Sequence, residues 1–89
     1  MPRISIPTPL RSYAAGQDTE EAQGETVGAV LLDLVSKHPA LQDRLFDNSE
    51  LRRFVNVYVN NEDIRFLDDL QTAVQAGDEI SIIPAIAGG

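Results

Sequence analysis

The stretch Thr26-Val27-Gly28-Ala29-Val30-Leu31-Leu32-Asp33-Leu34-Val35-Ser36-Lys37-His38-Pro39 carries a helix together with both of its ends. Val27, Val30, Leu31, Leu34 and Val35 recur at helical spacing, so a helix over Val27 to Lys37 gathers them into one apolar stripe. Thr26 is placed to cap it, because its hydroxyl can accept from a free backbone N–H of the first turn. The full capping box is missing, since Ala29 stands where Glu or Gln would be. Lys37 and His38 fall where the helix dipole favours cations, and Pro39 blocks continuation. A helix with a single apolar stripe has to bury it against another layer.

The flanking sequence supplies that layer. Upstream, Ile4-Ser5-Ile6 alternates and reads as a short first strand with both isoleucines inward. Pro7 and Pro9 stop it or place it at an edge. Leu10 to Gln17 is expected to turn about Gly16, and Asp18 to Gln23 reads as a weak, polar second strand. Downstream, Ala40 to Arg53 is a connection holding about one helical turn around Leu41, Leu45 and Phe46, with Asp47-Asn48-Ser49 as a turn. Phe54-Val55-Asn56-Val57-Tyr58-Val59-Asn60 is the strongest strand, with Val55, Val57 and Val59 on one face. Asn60 to Asp63 is expected to turn and Ile64-Arg65-Phe66 to return as a hairpin strand. Leu70 and Val74 should pack inward, Gly77-Asp78 should turn, and Glu79 to Ile83 is the last strand, closed by Pro84. Strands split by one crossing helix imply an α+β fold: a β-grasp, ubiquitin-like, with a mixed sheet of four to five strands and one main helix on one face.

With 89 residues the prior is one domain, assigned to residues 1–84, with 85–89 as a flexible tail. Hydrophobic residues at 43% and charged residues at 24% give a folded rather than a disordered balance. The net charge of −7 argues against nucleic acid, which demands clustered cations. It suits either simple solubility or a partner with a basic face. No cysteine is present, which excludes disulfides, thiolate metal sites and a cysteine nucleophile. No apolar run approaches the ~20 residues of a membrane span, and no signal peptide is evident. The chain is expected to be cytoplasmic.

After Pro84 come Ala85-Ile86-Ala87-Gly88-Gly89, none of them charged. Fully extended they reach ~17 Å. The last two lack a Cβ and can pass through a gap too narrow for a side chain. Gly89 would then present a carboxylate at the tip of a slender probe. A carboxylate is a poor electrophile until activated. An acyl-adenylate makes it reactive, and attack by sulfur gives a thiocarboxylate. ATP would have to be held by another protein, since no Gly-x-x-x-x-Gly-Lys loop is present.

Gly24-Glu25-Thr26-Val27-Gly28-Ala29-Val30, Phe54 to Asn60, Ala76-Gly77-Asp78-Glu79-Ile80 and Ile83 to Gly89, taken in order, resemble the MoaD/ThiS sulfur-carrier family. The longer run from Phe54 to Phe66 is most similar to its CysO-type members. The resemblance implies adenylation of Gly89 by a ubiquitin-activating-enzyme-like adenylyltransferase/sulfurtransferase, and storage of sulfur there as a thiocarboxylate. Ala85, Ile86, Ala87 and Gly88 would enter the partner's active site. It also implies acceptors: a cysteine synthase using pyridoxal phosphate, with a JAMM metalloprotease releasing the product, or the molybdopterin synthase large subunit, or thiazole formation for thiamin. The carrier itself would bind no cofactor and would not be an enzyme.

Two competing readings share the fold. One is a protein modifier conjugated through Gly89, and the other is a non-catalytic interaction module with an inert tail. Phe54, Tyr58 and Ile83 alternate outward and form a candidate docking patch; scattered exposed apolar residues are equally ordinary. His38 lacks partners at metal or catalytic spacing and reads as a helix-end cation. Glu62-Asp63, Asp68-Asp69 and Arg52-Arg53 read as solvated pairs. Lys37 is the only lysine, which disfavours chains of this protein joined through its own side chains.

Overall fold

The computed structural model describes residues 1–47, 50–52 and 55–84. In chain order it contains β1 (Arg3–Ser5), a 3-10 helix (Thr8–Ala14), β2 (Thr19–Glu21) and α1 (Val27–Lys37). A 3-10 turn (Pro39–Leu41) runs into α2 (Gln42–Leu45), followed by β3 (Phe46–Asp47) and β4 (Glu50–Leu51). The chain then forms β5 (Val55–Val59), β6 (Glu62–Asp63), 3-10 turns at Ile64–Phe66 and Asp69–Gln71, and β7 (Glu79–Pro84). The main sheet has the order β2-β1-β7-β5-β6, and β3 pairs with β4 apart from it. β7 runs parallel to β1 and antiparallel to β5. This is the mixed-sheet β-grasp expected from the sequence.

The helix begins and ends where its residues dictate. The Thr26 hydroxyl accepts from the Ala29 N–H at 3.2 Å, and the His38 N–H closes the last turn on the Leu34 carbonyl. Val27, Val30, Leu31 and Leu34 are fully buried and Val35 nearly so. They cover Ile4, Ile80, Ile82, Val55 and Val57, the inward residues of three adjacent strands. Each such aliphatic side chain contributes about 1.5–3 kcal/mol by leaving water.

Beyond the β3–β4 pair, which forms within the span expected as a connection, two elements differ from the sequence expectation. The segment after β1 is a 3-10 helix rather than an open turn. Pro9 lies in its first turn, where a missing N–H costs nothing. Leu10 and Ala14 on its inner face are buried. Left-handed Ala15 and Gly16 end it. The second difference is the hairpin. Asn60 and Asn61 both take positive φ, 49° and 74°, which makes a tight two-residue turn. The return strand therefore starts at once, as Glu62–Asp63. The Asp63 carboxylate then accepts from the Arg65 N–H at 2.9 Å and winds Ile64–Phe66 into a 3-10 turn instead of the expected strand.

Asn60 also locks this hairpin to the start of β7. Its amide donates to Asp78 Oδ1 at 2.9 Å and its side-chain oxygen accepts from the Glu79 N–H at 3.0 Å. Asp78 accepts in turn from the Gln75 N–H, and its carbonyl accepts from the Arg3 N–H. At the opposite edge, Asp33 accepts from the Gln23 N–H at 2.9 Å and pairs with Lys37. The Gln23 hydrogen bond, and secondarily the Lys37 charge, holds the Asp33 carboxyl below its ordinary range. The Gln75 N–H, then the Asn60 amide, does the same for Asp78.

A carboxyl lowered in the folded state stabilises it above the unfolded pKa, and that contribution is lost as pH falls through the folded value. Asp33→Asn/Asp78→Asn should therefore be less stable than the wild type near pH ~6 and approach it below pH ~4. Urea denaturation across that range measures the difference. A second prediction concerns Gly24. A Cβ there would lie 2.6 Å from the Val30 nitrogen and 2.8 Å from the Ala29 carbonyl carbon, both backbone atoms of α1. Gly24→Ala should cost about 1–3 kcal/mol by forcing the helix off its seat, read as a lower urea midpoint with unchanged m.

Candidate functional site

Ile80 and Ile82 alternate into the core, so Ser81 and Ile83 face the uncovered side of the sheet. β7 lies in the middle of the sheet, and its last residues pair with the start of β5: Ile83 opposite Asn56, Pro84 opposite Val55. Residues 85–89, including Gly88 and Gly89, continue directly from that point and lie outside the described residues. The central strand of the sheet is thus the root of the candidate tail.

The open face beside that root carries part of the expected docking patch. Tyr58 stands opposite Ser81, and Ile83 opposite Asn56, so Tyr58 and Ile83 are diagonal neighbours within reach of an aromatic ring. Ile83 is 47% exposed, and Tyr58 is half-buried. Phe54 lies outside the described residues.

Two further residues were not singled out as site residues in the sequence. Phe66 is 86% exposed, an extreme value for a large apolar side chain. Arg65, beside it, turns back over β5. Its Nη1 donates to the Asn56 side-chain oxygen at 2.6 Å and its Nη2 to the Val55 carbonyl at 3.3 Å. The signal for both was the Asn60-Asn61 pair. A two-residue turn there shortens the return strand and carries Arg65 and Phe66 beyond it.

Several other polar residues hold the elements together. His38 Nε2 meets the Glu20 carboxylate of β2, tying the end of α1 to the edge of the sheet. Lys37 donates to the Glu21 carbonyl at 2.8 Å and pairs with Asp33 at 3.4 Å. Arg52 donates to the Asp43 carbonyl, and Arg44 stacks over the Tyr13 ring. Among the described residues no group of three or more His, Asp or Glu side chains is placed to hold a metal ion. No helix among them is long and apolar enough to cross a membrane.

Known proteins share this arrangement from end to end. The mycobacterial sulfur carrier protein CysO of Mycobacterium tuberculosis is 48% identical over 89 residues, covering 97% of this chain and 96% of the relative. The crystal structure of a BexX/CysO complex from Amycolatopsis orientalis superposes with a TM-score of 0.93 at 44% identity, covering both chains completely. The small archaeal modifier protein 1 of Methanosarcina acetivorans has a solution structure with a TM-score of 0.89 at 34% identity, over 99% of this chain and 95% of that one. The sulfur-carrier relatives are small ubiquitin-like carriers rather than catalysts. The ThiS family model matches residues 4–89, the whole β-grasp and the tail beyond it, and the chain belongs to the ThiS family.

Proposed function

We propose that this protein is a sulfur carrier, in which the Gly89 carboxyl is the group that works. The observation that supports this most is the position of β7. A central strand, paired on both sides, ends beside an open face and leads straight into five uncharged residues ending in Gly-Gly. In the first step a Gly89 carboxylate oxygen attacks the α-phosphorus of ATP and pyrophosphate leaves. Hydrosulfide supplied by the partner then attacks the acyl carbon, AMP leaves, and a thiocarboxylate remains. ATP and the catalytic groups belong to a partner of the ubiquitin-activating type. This chain contributes the grip and the tail.

Cysteine formation is the favoured destination of the sulfur, because the mycobacterial relative named for that carrier type is nearly half identical over its whole length. The acceptor is then a cysteine synthase using pyridoxal phosphate, with a JAMM metalloprotease freeing the product. Molybdopterin and thiamin synthesis use the same chemistry at the tail. The setting of these reactions is cytoplasmic. A second reading is favoured by the archaeal relative whose name is that of a modifier: Gly89 joined to lysines of other proteins.

Removing Gly88 and Gly89 should leave the melting temperature nearly unchanged, since a terminal tail buries little, and should abolish loading. Mass spectrometry of the chain isolated from its own cells checks this. One oxygen exchanged for sulfur at Gly89 supports the carrier, isopeptide-linked Gly89 the modifier, and neither one an inert module. Tyr58→Ala and Ile83→Ala should each weaken capture by the activating enzyme roughly tenfold, the worth of an interface anchor of about 1–2 kcal/mol. Calorimetric titration measures it, and unchanged affinity in both variants removes the docking patch.

A further inference from the structure

In the β5–β7 ladder the Asn60 N–H donates to the Glu79 carbonyl, so by strict alternation Val55 and Pro84 face each other as a non-hydrogen-bonded pair and the main-chain groups of Val55 point away from β7. The Val55 N–H goes to the Arg52 carbonyl at 3.0 Å. β6 pairs only with Tyr58 and Val59, so it does not reach this part of β5. The first residues of β5 would therefore be a loose edge at the place where the tail leaves the domain.

Arg65 fills that gap. Its guanidinium spans from the Asn56 side chain to the Val55 main-chain carbonyl. Its own main chain is fixed by the Asp63 carboxylate, so the side chain extends from a rigid turn. Asn56 is the residue opposite Ile83, and Val55 the one opposite Pro84. A planar fork with several donors suits this double contact in a way an ammonium does not.

We infer that Arg65 is a positioning residue for the tail: by pinning Val55 and Asn56 it fixes the point and direction from which residues 85–89 depart. The inference rests on the carrier reading above. It concerns delivery rather than docking. Once the domain is held by a partner, the chance that Gly89 meets the reacting phosphate depends on the tail's length and on where it is anchored. If the Val55–Pro84 end frays, the point from which residues 85–89 continue wanders, and productive encounters become rarer while the docked face is unchanged.

The test is ATP–pyrophosphate exchange by the activating enzyme of the same organism, with wild type, Arg65→Met, Arg65→Lys and Asn56→Ala, well below their melting temperatures. Arg65→Met keeps most of the stem and removes the fork. Asn56→Ala removes one partner and leaves Arg65 in place. The expected result is a kcat lowered about tenfold in Arg65→Met, a smaller fall in Arg65→Lys and Asn56→Ala, and an unchanged KM for the carrier. Faster amide hydrogen exchange at Asn56 and Ile83 should accompany the loss. Unchanged kcat in folded Arg65→Met and Asn56→Ala overturns the inference, as does a change confined to KM, which would make Arg65 a docking residue. No exchange with the wild type removes the carrier reading itself and the inference with it.

Discussion

Ile80 lies in one row with Ile4 on one side and Val59 on the other. Ile4 and Ile80 have no exposed surface and Val59 little. That row joins β1 to β5 through a strand that arrives last in sequence. Parallel pairing of β1 with β7 needs a long crossover, and here nearly the whole chain is that crossover. Without β7 the sheet falls into two separate ribbons, β1–β2 and β5–β6, neither able to bury the apolar stripe of α1 by itself. The strand that unites the sheet is also the one that residues 85–89 follow in the chain, so they are joined to the most extensively paired strand of the fold.

What could be read from the sequence follows from how local each cause was. The limits of α1 rest on Thr26, the spacing of five apolar residues, and Pro39, all within one short window, and the helix found has those limits. The inward faces of β5 and β7 follow from strict alternation and were equally plain. The return strand was displaced because two left-handed asparagines set its start, and an Asn-Asn pair also fits a longer turn. The 3-10 helix after β1 was hidden because its buried residues, Leu10 and Ala14, are satisfied only by the distant core.

The site was legible to a different degree. The tail stands out in sequence because it is uncharged and ends in glycines. The faces of Tyr58 and Ile83 follow from strand parity. The contact of His38 with Glu20 spans 18 positions and two elements, so no local pattern could have announced it. The same holds for Arg65, whose partners on β5 are reached only because Asp63 winds the intervening chain into a turn. Long side chains that reach across the sheet depend on the fold being formed first.

That dependence also bears on the electrostatics. Lys37, Arg11, Arg52 and Arg65 each donate to a main-chain carbonyl of this protein, and Arg44 lies over Tyr13. These cations hold α1, the first 3-10 helix, α2 and β5 in place, and their charges are met by local dipoles. The acids are in large majority and mostly exposed. The field felt by an approaching molecule is therefore negative, and a basic face on that molecule gains association rate from it. With these cations bound to its own main chain and ring, and its acids mostly outward, the domain favours the approach of a basic face before any short-range contact forms.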